Sequence, residues 1–472
     1  MDFSKFKEYY TKNGKFKDHF QDSVILLPMT SNIGSCDYNE SCGLNGIVGG
    51  FFRNLSREKV SPIDNEADAI DRINKYLQDE IQMSDDDIKD FINIARNILC
   101  PDGKFQAIDS SFLKYYPFHS SEGKKSTKDK FLRGQEKIAD YVSSMAGDAF
   151  DIDSAKGRAD LFTTTIKNAL QSGFKVKKDS FEPEHYYILP FVKAQFRDDF
   201  NWLLGKQDAV LIKYINSFTY FYACYSILQT LLHIDPKNDE EKEGKGAICL
   251  YSTLSEEKIS MKGDAVTKGW DSRLGKDVIE KTFGRIQTID IINFLTDSDT
   301  CIYSELMTQL KAEPFEQNKD VCEKVLQFYQ TEKRKTVNSR KTSKEITIKD
   351  ILTSAESYEE FVKKLCSLCI NMQDSNYTRM KKWIYNLFSI GFLSLRRGKY
   401  ILTVDNDMLI FLIAMITHEE KTKLKDMYAK FRSYGIIFNM NTRRIIEQYL
   451  LKLNLLERKS DSGEAQYVRV IL

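Results

Sequence analysis

The chain has 472 residues, 42% hydrophobic and 29% charged, which is enough apolar material for about three domains of a globular protein. The net charge of +1 hides a division. Thr331 to Leu472 carries 26 Lys+Arg and 16 Asp+Glu, a balance of +10, while Met1 to Gln330 carries 43 and 52, a balance of −9. A mildly acidic body with a basic C-terminal third points to a polyanion partner at that end. Nine scattered cysteines and no signal peptide at Met1-Asp2-Phe3-Ser4 predict reduced thiols in a cytoplasmic protein. The longest apolar run, Phe218 to Leu232, is broken by Thr219, Ser226, Gln229 and Thr230, so it reads as buried helix and no membrane span is expected.

In chain order, residues 1–22 suggest one or two helical turns, and Ser23 to Met29 (SVILLPM) a short strand. A loop follows with Cys36, Cys42 and glycines 43, 46, 49 and 50. A phosphate-binding loop would end in Gly-Lys-Ser/Thr, but Gly50 leads into Phe51-Phe52-Arg53. Gly123-Lys124-Lys125-Ser126 fails too, because Phe118 stands where the leading glycine belongs. Residues 66–99 have helical periodicity, and Asp85, Asp86 and Asp87 suit the N-terminus of a helix better than a metal, whose ligands come from several places. A loop-rich stretch, 101–132, ends in the basic run Lys124 to Lys130, and 134–173 reads as helix.

The most apolar part comes next. Tyr186 to Pro190 is extended, 191–204 is an amphipathic helix with Phe191, Phe196, Phe200, Trp202 and Leu203, and 208–234 is a long aromatic-rich helix. An aromatic stripe of this kind fits the core of a helical domain better than a cofactor site. Asp235 to Lys245 is a charged loop, Ala247 to Ser252 a strand, and 276–330 is helical. Thr331 to Glu345, with six basic residues and Val337 as its one large apolar residue, reads as a linker.

Beyond Ile346 the pattern changes to short helices and hairpins. Helices Tyr358 to Ile370 and Tyr377 to Ile390 precede a hairpin, Phe392 to Leu395 and Tyr400 to Val404, with Arg396, Arg397 and Lys399 at its turn. Helices at 406–417 and 420–434 then lead to a helix capped by Asn441 or Thr442, with Arg443 and Arg444 in its first turn. Ile446, Leu450 and Leu453 mark its buried face. A hairpin closes the chain: Leu455 to Lys459, the turn Ser460 to Gly463, and Gln466 to Ile471. The two units echo each other, since Thr378-Arg379 matches Thr442-Arg443 and Tyr385 matches Tyr449 at an offset of 64. The expected fold is therefore mainly α: a multi-helical body with C-terminal tandem winged-helix modules bearing small β-hairpins. The expected domains are 1–180, 181–330 and 346–472.

Arginines in a first turn oppose the helix dipole but suit phosphate. The candidate DNA contacts are Arg379, Lys381, Lys382, Arg396, Arg397, Lys399, Lys421, Lys423, Lys425, Arg443, Arg444, Arg458 and Lys459. Winged helices also bind protein, and such charges would then form a rim. Five dispersed histidines, His19, His119, His185, His233 and His418, show no metal or catalytic spacing, and no nucleophile elbow occurs. Cys366-x-x-Cys369 lacks the second pair zinc needs and falls on a helical face. Glu182, Glu184 and nearby lysines imitate a nuclease carboxylate pair without strand context. Catalytic, cofactor and metal residues are thus not assigned, and a metal-dependent nuclease assembled from distant residues stays an alternative.

Three places resemble the DptG family of bacterial DNA phosphorothioation-dependent (Dnd) restriction systems. These are Leu189-Pro190-Phe191 with Phe196, Asn201, Leu203-Leu204 and Phe218 to Tyr222; Lys268-Gly269-Trp270 with Ile291 to Leu295; and the tail Leu455 to Val468. The resemblance covers roughly residues 186–472. It implies a subunit of an antiviral defence complex acting on DNA that lacks the phosphorothioate mark, with ATPase and cutting work done by partners, DptF and DptH. It implies no catalytic residues in this chain.

Overall fold

The computed structural model describes residues 1–471 except 18, 30–43, 57–59, 119–124, 148–159, 173–183, 236–245, 340–350, 372–375, 419 and 459–465. The readings for Cys36, Cys42, Gly43, His119, Gly123-Lys124, Glu182, the loop 236–245 and the turn Ser460 to Gly463 lie outside these residues. The described residues are mainly helical with small sheets.

Helix α1 (Phe3–Tyr9) is capped by Asp2, whose carboxylate accepts from the amides of Ser4 and Lys5. Two short antiparallel strands follow, β1 (Thr11–Lys12) and β2 (Lys15–Phe16). The strand expected at Ser23 to Met29 does not form. The Gln21 side chain takes its place as partner: Oε1 accepts from the amides of Leu26 and Leu27 at 3.0 and 2.7 Å, and Nε2 donates to the carbonyls of Leu27 and Met29. Val24, Leu26, Leu27 and Met29 are still buried, so the apolar pattern reported burial rather than a ladder.

Gly46, Gly49 and Gly50 lie within a helix, α2 (Asn45–Ser56), and not in the expected loop. Their smallness lets α2 close on the 3-10 turn Ser110–Tyr115 and its exit; a Cβ on Gly49 would sit 2.2 Å from the Tyr116 carbonyl oxygen. Helix α3 (Glu66–Tyr76) runs into a π turn, Leu77–Ile81. Helix α4 (Asp85–Leu99) is capped by Ser84, with Asp85, Asp86 and Asp87 in its first turn as the dipole favours. Then come α5 (Lys125–Ala146) and α6 (Leu161–Ser172).

Helix α7 (Pro190–Leu204) starts on a proline, and α8 (Asp208–His233) follows. Phe196, Phe200, Phe218 and Tyr222 pack ring to ring across them, as a core stripe should. Strand β3 (Leu250–Leu254) and the single-turn helices α9 (Asp264–Thr267) and α10 (Trp270–Arg273) precede α11 (Lys276–Thr296) and α12 (Tyr303–Leu310). Helix α13 (Phe315–Ser339) corrects the linker expected at Thr331 to Glu345, because it carries through residue 339. Lys, Arg, Glu and Gln are good helix formers, Lys335 pairs with Glu332 at 2.7 Å, and Lys333 is buried over the Phe16 ring.

The C-terminal third forms α14 (Tyr358–Asn371), α15 (Asn376–Phe388), β4 (Leu393–Arg396), β5 (Lys399–Val404), α16 (Asn406–Thr417), β6 (Thr422–Lys423), α17 (Leu424–Ser433), β7 (Ile436–Phe438), α18 (Met440–Lys452), β8 (Leu456–Arg458) and β9 (Gln466–Val468). These follow the expected order closely. One cap is corrected: α18 begins at Met440, so Asn441 and Thr442 lie inside its first turn, with Thr442 fully buried.

Two units divide the chain and cut across the three expected segments. Unit 1 comprises Met1–Gly34, Ile227–Thr403 and Arg432–Met440. In it α11, α13, α14 and α15 pack together, and a four-stranded sheet runs β4-β5-β3-β7, with β4 and β5 antiparallel and β3 and β7 parallel. Unit 2 comprises Ser35–Ser226, Val404–Phe431 and Asn441–Leu472. Its core joins α2 to α5 and α3 to α6, and a three-stranded antiparallel sheet runs β6-β9-β8.

Candidate nucleic-acid interface

In unit 2, α16 is apolar all round and buried from Leu409 to Thr417 save one partly covered position at Ile410. Asp405 caps its start, and His418 ends it in a left-handed conformation at φ 47°. Tyr214 of α8 stacks on Phe411 at 5.2 Å. Helices α17 and α18 are amphipathic. The first buries Leu424, Met427, Tyr428 and Phe431, the second Thr442, Ile446 and Leu450. Strand β9 lies between β6 and β8, with Thr422 opposite Val468 on one side and Leu456 opposite Val468 on the other.

This framework leaves Lys421, Lys423, Lys425 and Arg444 exposed. Lys421 pairs with Glu457 of β8, which also accepts from Arg469 at 2.8 Å. The hydrogen bond from Lys421 first, and both positive charges with it, hold the Glu457 carboxyl below its usual range. Arg443 is half-buried, and its guanidinium lies over the Tyr428 ring at 4.6 Å. The Tyr428 hydroxyl donates to the Arg443 carbonyl at 3.2 Å, and burial pushes that phenol up. Arg443 is thus held by the fold, while Arg444 beside it faces solvent.

Unit 1 carries the second group. Arg396 and Lys399 end β4 and begin β5, joined through Arg397 and Gly398, both at positive φ (48° and 77°). That is the signature of a two-residue primed turn, which matches the twist of the flanking strands. Arg396 Nη1 donates to the Glu257 carbonyl at 2.6 Å, and Lys399 faces Asp271 at 3.8 Å. Arg397 and Lys382 are exposed, and Lys381 lies over the Tyr385 ring at 5.8 Å. Tyr385 packs between Tyr400 and the fully buried Trp270, which also meets Phe388 at 5.0 Å. The expected residues therefore fall into two groups: Lys381, Lys382, Arg396, Arg397 and Lys399 in unit 1, and Lys421, Lys423, Lys425, Arg443 and Arg444 in unit 2. The side chains of Arg379 and Arg458, and Lys459 as a whole, lie outside the described residues.

Several other chemistry-bearing residues are engaged structurally, while His185 is exposed. Cys369 on α14 is fully buried, and burial pushes its thiol up to about 12; burial raises Cys366 as well. His233 touches the carbonyls of Gln229 and Gly246, and His19 sits between Asp22 and the Tyr9 carbonyl. One polar cluster has little trace in the sequence. His418 Nε2 lies 2.6 Å from Oδ1 of Asp199, a fully buried carboxylate that also accepts from the Tyr222 hydroxyl. Trp202 stacks on the same imidazole. The sequence signal is faint: Asp199 occupies a position of the buried stripe Val192, Phe196, Phe200 and Leu203, where an apolar residue is the rule. Among the described residues no group of three or more His, Cys, Asp or Glu could hold a metal ion, and no helix is long and apolar enough to cross a membrane. Compared with known proteins, the chain matches no family model and no curated protein.

Proposed function

We propose that the chain is a non-catalytic DNA-binding and assembly subunit of a phosphorothioation-dependent restriction complex, working beside DptF- and DptH-like ATPase and nuclease partners on DNA that lacks the mark. One observation carries the DNA half of this reading. The order is α16-β6-α17-β7-α18-β8-β9, and apart from β7, which pairs with β3 in unit 1, it resembles that of a winged helix; β9 lies between β6 and β8, and basic residues sit on exposed positions. Such a module offers α18 to the major groove and its hairpin to the backbone. Arg444 on α18, with Lys423 and Lys425 at the β6–α17 junction, would neutralise phosphates. The complex and its substrate are inferred from the resemblance of the central and tail residues alone.

A second reading has its own support. Lys421 is tied to Glu457, Arg443 to Tyr428 and Arg396 to Glu257, so part of the basic set is engaged within the fold. On that reading the modules bind protein, and the exposed cations form a rim.

Fluorescence anisotropy of the full-length protein on duplex DNA, over a range of salt, separates the two. Six phosphate contacts would give a log–log salt slope of roughly −5. Replacing Lys423, Lys425 and Arg444 with glutamate should flatten that slope and weaken binding at least tenfold. A slope near zero in the unaltered protein, or no change in the triple variant, overturns the DNA reading and leaves the protein-binding one.

A further inference from the structure

A second surface, in unit 2 and remote in sequence from the basic set, has the opposite character. Between Asp64 and Leu99 the chain carries ten carboxylates and four basic residues. Helix α4 turns Ile88, Ala95 and Leu99 inward, yet Ile94 and Ile98 stand 52% and 44% exposed on its other side. Asp87, Phe91, Ile94 and Ile98 recur at steps of four, three and four residues, which lines them up on one face of the helix. Phe91 packs on Phe162 at 5.0 Å, which brings the start of α6 alongside, and Leu161 next to it is 84% exposed. Asp87 continues this strip, Asp90 flanks it and Asp160 precedes Leu161, and all three are exposed. Of the two basic residues on α4, Arg96 is bound to Glu66 at 2.8 Å. The other, Lys89, projects from the far side of the helix, by the same spacing.

We propose that this apolar strip with its acidic rim docks a basic amphipathic helix of a partner protein. The spacing of Phe91, Ile94 and Ile98 is the seam that a second helix accepts. Ile94 and Ile98 are exposed beside the half-buried Phe91, and neighbouring apolar residues of this kind mark an interaction surface in a way that single exposed residues do not. The charge selects the occupant: lysines or arginines flanking the apolar face of the incoming helix would meet the aspartates, and an acidic helix would be repelled. A second copy of this chain is disfavoured by the same charge, because two such rims would face each other. The inference is independent of the DNA reading, since none of the basic candidates takes part in it.

The test uses the full-length protein and two synthetic helical peptides. One has leucines along one face and lysines along the other; its counterpart has glutamate in place of every lysine. The lysine peptide should bind, more weakly as salt rises, and the glutamate peptide should not. I94S/I98S should weaken binding at least tenfold with the melting temperature unchanged, because both side chains already face solvent. D90K should weaken it too and reduce the salt dependence. Equal binding of the two peptides, or unaltered binding by I94S/I98S, overturns the proposal. So does self-association of the unaltered protein that I94S/I98S abolishes, because a second copy would then occupy the strip.

Discussion

The two hairpins of the C-terminal third make an instructive pair. In unit 2, β8 and β9 are completed by β6, which lies in the loop between α16 and α17, so every strand of the sheet comes from residues 422–468. In unit 1 the strands beside one another are β4, β5 and β3, the same arrangement, but β3 comes from residues 250–254. The first hairpin has thus been built into the body, and the second has its own small sheet. What the two stretches share is a helix followed by a hairpin, α15 with β4 and β5 and α18 with β8 and β9. The likeness does not extend to what each copy packs against. Tyr385 is enclosed by Tyr400 of its own hairpin and by Trp270, which comes from outside the echoed stretches.

The largest effect that would break this comparison concerns Trp270. It is fully buried, and it joins the α10 segment to α15 behind the first hairpin. W270A should cost about 3–5 kcal/mol, the range for emptying a large aromatic site. Denaturant unfolding followed through the fluorescence of Trp202 and Trp383 would report it. If the first hairpin stood alone like the second, the loss would be far smaller, and the integration of β3 would be in doubt.

A middle-sized effect contrasts a buried carboxylate of each unit with the surface ones. Asp290 of unit 1 accepts from the Gln21 amide and from the amide and hydroxyl of Ser23, yet burial outweighs these bonds and pushes it up to about 6. Asp140 of unit 2 is likewise raised by burial to about 6, against the pull of Asn54. Both bind their proton more tightly folded than unfolded. Their contribution is fully present below the unfolded value of about 4 and is lost as pH rises through about 6. The melting temperature should therefore rise as pH falls from 7.5 to 5. D140N and D290N should each flatten that rise, by at most about 3 kcal/mol per site, the worth of moving a carboxyl from about 4 to about 6. Glu457 and Glu184, whose carboxyls are lowered, act in the other direction only at lower pH. A melting temperature that falls steadily from pH 7.5 to 5 would show that neither carboxylate is protonated preferentially in the fold.

Much of the helical layout could be read from residues, because period and capping are local. Helices α7, α8, α14 and α16 begin and end within about a turn of their expected positions, and Asp85 to Asp87 act at a helix start. What failed were features decided at a distance. The apolar run at Ser23 had the pattern of a strand, but two of its amides and two of its carbonyls are met by one glutamine side chain. The lysine-rich run after Thr331 looked like a connector because it lacks apolar residues, and helix propensity with the Phe16 ring under Lys333 decided otherwise. Among the candidate contacts, charge alone could not separate Arg444 from Arg443, since the difference is an aromatic ring fifteen residues upstream. Asp199 and His418 lie 219 residues apart, beyond the reach of any spacing rule.

The smallest effect is the sharpest test of what the first hairpin is for. Its turn puts Arg397 at φ 48°, a left-handed position in which a residue with an ordinary side chain costs about 1–2 kcal/mol. Asparagine followed by glycine is the favoured pair for such a turn, and Gly398 is already in place. R397N should therefore stabilise the protein, by about 0.5–1 kcal/mol once the exposed arginine's own contacts are set against the relief. If the arginine is kept there for its charge, the same substitution should weaken DNA binding and reduce the salt slope by about 0.9, the share of one phosphate. Stability and affinity would then move in opposite directions on one side chain. A variant that is more stable and binds DNA as before would mean that the tip of the first hairpin touches no phosphate, and that the self-contained hairpin of unit 2, with Arg444 and the lysines at the β6–α17 junction, carries the contact alone.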